Sequence, residues 1–418
     1  MNRVVITSIG AVTPVGNEAE STWQGLKAGR SGVQQIDTFD VSTFPVRIAG
    51  MCSDFELDQL PNRHAARYLH RGERFGVAAA AEAVRNAAIE PGTYDPGEIG
   101  VAIGGSVDRP ELQEFSDAFA VRTESDGHAL HRFPAIKTVH DSQNTATMEI
   151  ARLAGADGPM IGVSTACTAS AHSIGEAYRM IQDGDVRMMV AGGFDALTSW
   201  CDVLGFSLLG ALTVEYNDDP ERASRPFDRD RSGFVLGEGG VMIVLEEHDA
   251  AVERGATILA ELRGYGSSLN AYRMTDPPPD GGGAVIAMNG ALREAGLTSA
   301  DVDYVVAHAT STPAGDISET TAIKRVFGDD SSRIVVTSPK SMIGHTTCAA
   351  SALNLLAGIY SMRDGVVSPT INVDNQDPEC DLDCVPNEAR EVDVKVVLVN
   401  GFAFGGTNGA LVATRYEG

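Results

Sequence analysis

A doubled α/β fold is the architecture this sequence predicts, and three observations carry it. Short apolar runs alternate with helix-period segments along most of the 418 residues. A strand–turn–helix pattern at Val163–Ile181 (VSTACTASAHSIGEAYRMI) recurs at Val336–Ile359 (VTSPKSMIGHTTCAASALNLLAGI). Each copy leads into another apolar run and a glycine-bearing turn, VAGGFDALT in the first and VNGFAFGGTNG in the second.

In chain order, strand-like runs fall at Arg3–Ile9, Ile99–Ile103, Met188–Ala191, Val241–Leu245, Tyr304–Ala307, Ile334–Thr337 and Val394–Val399. Helical periodicity falls at Phe75–Ala88, Ala169–Gln182, Ala284–Ala295, Glu319–Phe327 and Ala349–Met362. Asp183-Gly184 and Gly296 read as helix stops, because glycine enters the left-handed conformation without a Cβ clash. The halves divide at residues 1–255 and 256–418. Ser106–Met160 shows weak periodicity and many polar residues. It reads as an insertion over the first half, of a length that serves as lid, pocket wall or interface.

Bulk composition narrows the function. The chain is 43% hydrophobic and 21% charged, an ordinary enzyme balance. Its net charge of −25 argues against nucleic acid and anionic membrane surfaces as partners. No apolar run reaches the roughly 18 residues of a membrane span. The start, MNRVVITSIGAVTP, reads as a strand entering a turn and not as a signal peptide, so the expected location is cytoplasmic. The six scattered cysteines read as reduced thiols. Cys380 and Cys384 have no nearby histidines, so no metal site is expected.

Four segments can carry chemistry. Cys167 lies among small residues in STACTAS, just before a helical segment. A helix N-terminus favours the thiolate, and its free N–H groups can receive an oxyanion. His308 ends an apolar strand and precedes the hydroxyls of Thr310, Ser311 and Thr312. Ligand-binding side chains in α/β folds sit at such strand ends. Lys340 and His345 lie in the turn SPKSMIGH, before the second copy's helix. If a pseudo-twofold axis relates the halves, that turn faces Cys167, giving one thiol and two imidazoles suited to acyl transfer. In NGFAFGGTNG, glycines flank Phe402 and Phe404, so the backbone can swing while a ring closes a pocket.

Together with VVITSIGAVTPVGN, ASRPFDRDRSGFVLGEG and NAYRMTDPP, these motifs give a chain that resembles the elongating β-ketoacyl-carrier-protein synthases nearly end to end. The resemblance implies a duplicated thiolase-like fold in five layers, α-β-α-β-α, usually dimeric. It implies a decarboxylative Claisen condensation. Cys167 takes an acyl group from a carrier protein, and a malonyl-carrier protein loses CO₂ and attacks it. His308 and His345 match the family's histidines, which stabilise the enolate. Lys340 matches its organising lysine. The N–H groups of Cys167 and Phe404 match the oxyanion hole, and Phe404 the gate. Thr310 and Thr312 match pantetheine contacts, and Phe206, Phe234 and Phe402 resemble pocket-wall positions. Arg63, Arg67 and Arg71 are the expected docking face for an acidic acyl-carrier protein. No cofactor is implied beyond the carrier's phosphopantetheine, and no metal.

Several positions depart from the housekeeping pattern. Asn354 stands where a glutamate usually pairs with the lysine, so Lys340 is expected to lack its charged partner. Cys348 and Ser351 replace glycines, Ala309 replaces the glycine after the histidine, and Ala403 the one between the gate phenylalanines. Asn270 replaces an aspartate, and Gly210 a docking arginine. These changes favour a specialised type II polyketide or polyene pathway, with housekeeping fatty-acid elongation the alternative. The partner is then a second copy or a homologous ketosynthase-like chain. A non-catalytic chain-length-factor role is disfavoured by the presence of Cys167. A degradative thiolase would carry a second cysteine in the segment GFAFGGTNG, and a coenzyme A-dependent starter enzyme an asparagine in place of one histidine.

Overall fold

The computed structural model describes residues 1–107, 112–124 and 142–418. Its strands, in chain order, are β1 (Val4–Val12), β2 (Val33–Gln35), β3 (Ile48–Gly50), β4 (Ile99–Gly105), β5 (Met160–Val163), β6 (Met188–Ala196), β7 (Glu238–Glu247), β8 (Ala260–Leu269), β9 (Tyr304–Val306), β10 (Val335–Thr337), β11 (Val366–Val367), β12 (Arg390–Glu391), β13 (Val396–Phe402) and β14 (Thr407–Thr414). Ten of them form one mixed sheet, ordered β10-β9-β13-β14-β8-β1-β7-β6-β4-β5. From each outer edge inward, β5-β4-β6-β7-β1 and β10-β9-β13-β14-β8 repeat one plan. The pairing senses repeat too: parallel, parallel, antiparallel, antiparallel. The two sets join where Val4–Ile6 of β1 lies antiparallel to Ala260–Leu262 of β8.

Helices cover both faces, which is why the central strands are near-continuous apolar runs. Arg71–Ala87 and Asn144–Ala154 pack outside the first set through Phe75, Ala79, Ala83 and Ile150. Gly282–Ala295 and Pro313–Phe327 pack outside the second through Ala287, Ala291 and Ile323. Between the sets lie Ala169–Asp183 and Ala350–Asp364, giving the five-layer α-β-α-β-α order. The latter is buried on every side from Ala350 to Met362, as a helix in a middle layer must be. Burying each of its Leu353, Leu355, Leu356 and Ile359 side chains stabilises the fold by roughly 1.5–3 kcal/mol. Close helix-on-sheet contact needs missing side chains. A Cβ at Gly10 of β1 would lie 2.0 Å from the Ala79 carbonyl oxygen, and one at Gly266 of β8 would lie 2.0 Å from that of Ala287.

The expected helix stops are present: Gly184 (φ 84°) and Gly296 (φ 69°) both take the left-handed conformation. Within the ten-stranded sheet, three strands are additional to those expected. β5 has only four residues, β8 is broken by Gly264, Gly266 and paired serines, and β14 begins inside the glycine-rich turn GFAFGGTNG. The expected Ser106–Met160 insertion is partly an outer-layer element, because Asn144–Ala154 docks through buried Ala146 and Ile150. Its residues 108–111 and 125–141 lie outside the described residues. Among the described residues, no helix is long and apolar enough to cross a membrane.

Candidate active site

Cys167 sits in a 3-10 turn, Ala166–Thr168, between β5 and the Ala169–Asp183 helix. Ala166 adopts φ +49°, a left-handed conformation that non-glycine residues rarely take and that costs roughly 1–2 kcal/mol. The turn is braced to compensate. Thr168 Oγ1 donates to the Thr165 carbonyl (2.7 Å) and lies 3.0 Å from Thr407 Oγ1. The ring of buried His172 contacts Thr165 Oγ1 at 2.9 Å. The Cys167 side chain is half-buried, and the backbone N–H groups of Cys167 and Phe404 both point at its sulfur. That convergence is the donor pair an acyl oxyanion needs.

The expected depressed thiol is not found. Burial pushes the Cys167 thiol up to about 12, and Asp195 adds to the rise. Lys340 and the two N–H groups pull the other way. Desolvation of the charged form outweighs the helix terminus here. The resting side chain is therefore a thiol, whose proton has to leave as a new C–S bond forms.

His308 follows β9, where the Glu319 carboxylate accepts from the N–H groups of His308 (2.9 Å) and Ala309 (2.7 Å) and from Asn400 Nδ2 (2.9 Å). His345 is held by the first half: its N–H donates to the Val235 carbonyl (2.7 Å), and its carbonyl accepts from Gly237 (3.0 Å). Gly344 makes that approach possible. It has φ +69°, and a Cβ there would lie 2.8 Å from the Leu236 carbonyl oxygen. The two imidazoles stand edge to face with centroids 5.3 Å apart. Burial holds both well below the ordinary histidine range, aided by the charge of Lys340. Both rings are thus neutral, able to donate one N–H without carrying charge.

Lys340 is 1% exposed, and its Nζ has no hydrogen-bond partner among the described residues. Burial lowers it to about 8, opposed chiefly by Glu319 and then by Cys167 and Asp316. Asn354 is indeed engaged elsewhere: its amide donates to the carbonyls of Ala307 (3.0 Å) and Asn400 (3.3 Å). The lysine still has a nearby carboxylate, however, in Glu319.

An aromatic string runs through the site. Phe206 meets Phe234 at 5.8 Å, Phe234 meets His345 at 5.6 Å and Phe404 at 6.4 Å, and His308 meets Phe402 at 5.6 Å. Phe234, Phe402 and Phe404 therefore border the cysteine–histidine set, and Phe206 packs behind Phe234. Thr310 and Thr312 lie beyond His308 with their hydroxyl oxygens 3.1 Å apart. Ala403, between Phe402 and Phe404, has extended backbone (φ −141°), while Gly405 takes a positive φ (82°).

Arg63 and Arg67 are exposed beside the Ala65–Tyr68 turn. Arg71 keeps a partly exposed side chain (41%) while its guanidinium also holds fully buried Glu238 by two hydrogen bonds (2.7 and 2.5 Å). Glu319 and Asp195, both buried, were absent from the expected site. Asp195 accepts from Ser106 Oγ, Thr347 Oγ1 and the Cys348 N–H (3.2 Å), so it clamps the end of β6 to the second half. Glu319 lies eleven residues after His308, inside the Pro313–Phe327 helix, with no local motif to mark it.

The Beta-ketoacyl synthase N-terminal domain matches residues 1–251 and the C-terminal domain residues 259–374. The chain belongs to the β-ketoacyl synthase family. It is an acyltransferase-type condensing enzyme with the thiolase-like fold. It is 41% identical to 3-oxoacyl-[acyl-carrier-protein] synthase 2 of Vibrio harveyi over 98% of both chains. Among solved structures it is similar to a β-ketoacyl synthase from Burkholderia phymatum (TM-score 0.90, 34% identity, all of both chains). The ishigamide ketosynthase/chain length factor matches with TM-score 0.89 and 33% identity, again over all of both chains.

Proposed function

We propose that this β-ketoacyl synthase performs decarboxylative condensation on carrier-bound substrates. The observation that carries the reading is the convergence of the Cys167 sulfur, two backbone N–H donors and two neutral imidazoles. In the first stage Cys167 Sγ attacks the acyl thioester carbonyl. The oxyanion rests on the N–H groups of Cys167 and Phe404. As the intermediate collapses, the carrier thiol leaves with the proton that Cys167 gave up. In the second stage the malonyl C–C bond to the carboxylate breaks and CO₂ departs. The electron pair forms an enolate whose oxygen accepts N–H donation from His308 and His345. The enolate carbon bonds to the acyl carbon, and the cysteine sulfur leaves and regains a proton. Phe404 gates between the stages, Thr310 and Thr312 hold the pantetheine arm, and Phe206, Phe234 and Phe402 wall the pocket.

The carrier docks beside Arg63, Arg67 and Arg71, and the working unit is a dimer with a second copy or a homologous chain. The nucleophile-bearing half ends near residue 255, and the histidine-bearing half follows. No organic cofactor or metal enters this scheme, and its place is the cytoplasm. The specialised polyketide or polyene assignment is supported by Asn354, Ala403 and Gly210 and by likeness to the ishigamide ketosynthase/chain length factor. Identity to the Vibrio harveyi synthase supports housekeeping elongation as the second reading. Turnover of matched saturated and unsaturated acyl-carrier substrates separates them. Equal or faster use of long saturated chains contradicts the specialised reading.

A further inference from the structure

The two N–H donors that meet the Cys167 sulfur come from opposite halves of the molecule. One belongs to the turn after β5, and the other, from Phe404, to the turn between β13 and β14. Only packing across the seam between the halves can set their spacing. Two hydrogen-bonded struts cross that seam.

The first strut is Thr407. Its carbonyl closes the Phe404 turn by accepting the Ala403 N–H (2.9 Å). Its hydroxyl oxygen lies 3.0 Å from Thr168 Oγ1 and 3.4 Å from the Thr165 carbonyl oxygen, on either side of Cys167. Thr168 commits its single hydroxyl hydrogen to the Thr165 carbonyl (2.7 Å), so Thr407 is the donor across the seam. The second strut is His172, only 8% exposed. Its Nε2 lies 3.4 Å from the Asn408 carbonyl oxygen and 3.4 Å from Ser267 Oγ. A carbonyl can only accept, so Nε2 carries the ring hydrogen, and Nδ1 receives the Thr165 hydroxyl at 2.9 Å. Burial lowers the ring's pKa and keeps it in that neutral form. A missing side chain lets β14 come this close: a Cβ at Gly409 would lie 2.9 Å from Ala171 Cβ.

We infer that Thr407 and His172 are positioning residues that hold the Phe404 N–H at a fixed spacing from the Cys167 N–H, so that an acyl oxyanion meets both donors at once. The inference rests on the condensing reading above. The backbones of His308 and His345 have other anchors, Glu319 and the Val235 carbonyl, so the struts serve the acyl oxyanion and not the enolate.

The test follows two rates in the full-length enzyme: acylation of Cys167 by an acyl-carrier thioester, as mass gain, and malonyl decarboxylation, as CO₂ release. Thr407→Val keeps the shape and removes the donor. It should slow acylation at saturating thioester by about tenfold or more, short of the roughly 10²–10³-fold lost when an oxyanion donor is deleted outright. The KM for the thioester and the decarboxylation rate should stay within about twofold. Thr407→Ser keeps the hydroxyl and should return acylation to within about threefold of the wild-type rate. His172→Phe should slow acylation and spare decarboxylation in the same way, and an unchanged acylation rate removes the histidine from this role. A wild-type acylation rate in Thr407→Val, equal slowing of both reactions, or a serine variant as slow as the valine one overturns the inference and leaves the condensing reading standing. A wild-type enzyme that neither acylates Cys167 nor releases CO₂ overturns that reading itself.

Discussion

The same turn occurs twice in this molecule, and in the proposed mechanism only one copy reacts. In the first half Ala166 (φ +49°) precedes Cys167, and in the second Thr347 (φ +41°) precedes Cys348. Each cysteine lies in a three-residue 3-10 turn that leads into a 15-residue helix closed by a left-handed glycine, Gly184 or Gly365. Backbone geometry and helix terminus are thus held nearly constant between them. The surroundings differ. Cys348 is 4% exposed, its N–H is bonded to Asp195, and burial with that carboxylate raises its thiol well above the ordinary range. Cys167 is half-buried and receives two N–H donors and the field of Lys340. The comparison teaches that a helix N-terminus alone does not make a nucleophile. In the proposed mechanism, access and convergent donors, one of them from the other half, make the difference.

The largest expected effect comes from exchanging the two sulfurs' fates. Cys167→Ala should lower condensation by more than about 10⁴-fold, whereas Cys348→Ala should leave it within about threefold. Cys167→Gln, mimicking an acylated side chain, should abolish condensation yet retain malonyl decarboxylation, measured as CO₂ release. A Cys348→Ala enzyme as dead as Cys167→Ala would break the comparison.

Next in size are the groups that the second half contributes to the first. His308→Ala and His345→Ala should each lower decarboxylation by roughly 10²–10³-fold, since each removes a donor to the enolate. Acylation of Cys167, followed as mass gain, should persist. Loss of acylation with no loss of decarboxylation would reverse the roles of the halves.

The pH profile sharpens the picture further. Lys340, lowered to about 8 by burial, carries its charge below that pH and loses it above. The charge favours the enolate-forming site, so decarboxylation should fall as pH rises through about 8. Glu319→Gln removes the anion that most favours the ammonium form, and the midpoint should move down. A midpoint that stays in place would remove Glu319 as the lysine's partner.

The smallest effect is structural. Gly344→Ala forces a Cβ toward the Leu236 carbonyl in a left-handed backbone and should destabilise the fold by about 3 kcal/mol. The readout is the midpoint of chemical denaturation.

Legibility in the sequence followed periodicity. The buried helix Ala350–Asp364 and strands such as β7 show as uninterrupted apolar patterns, and Gly184 and Gly296 mark helix ends by a local rule. β8 and β14 stayed hidden because glycines and serines, needed where helices and active-site turns press on them, break the alternation. Cys167, His308, Lys340 and His345 stood out because reactive residue types sit in small-residue turns. Glu319 and Asp195 did not, because their meaning lies in which backbone N–H groups they meet across the fold. The upward shift of the thiol was equally invisible, since desolvation depends on everything packed around it. The ion pair of Arg71 was also hidden, because its buried partner Glu238 lies far along the chain.

The most direct test of the account is to locate the acyl group. The intact enzyme is incubated with an acyl-carrier thioester in the absence of malonyl-carrier protein, quenched, digested and mapped by mass spectrometry. The account expects the acyl mass on the peptide carrying Cys167 and none on that carrying Cys348. Acylation of Cys348, or of neither cysteine while condensation proceeds, would contradict it.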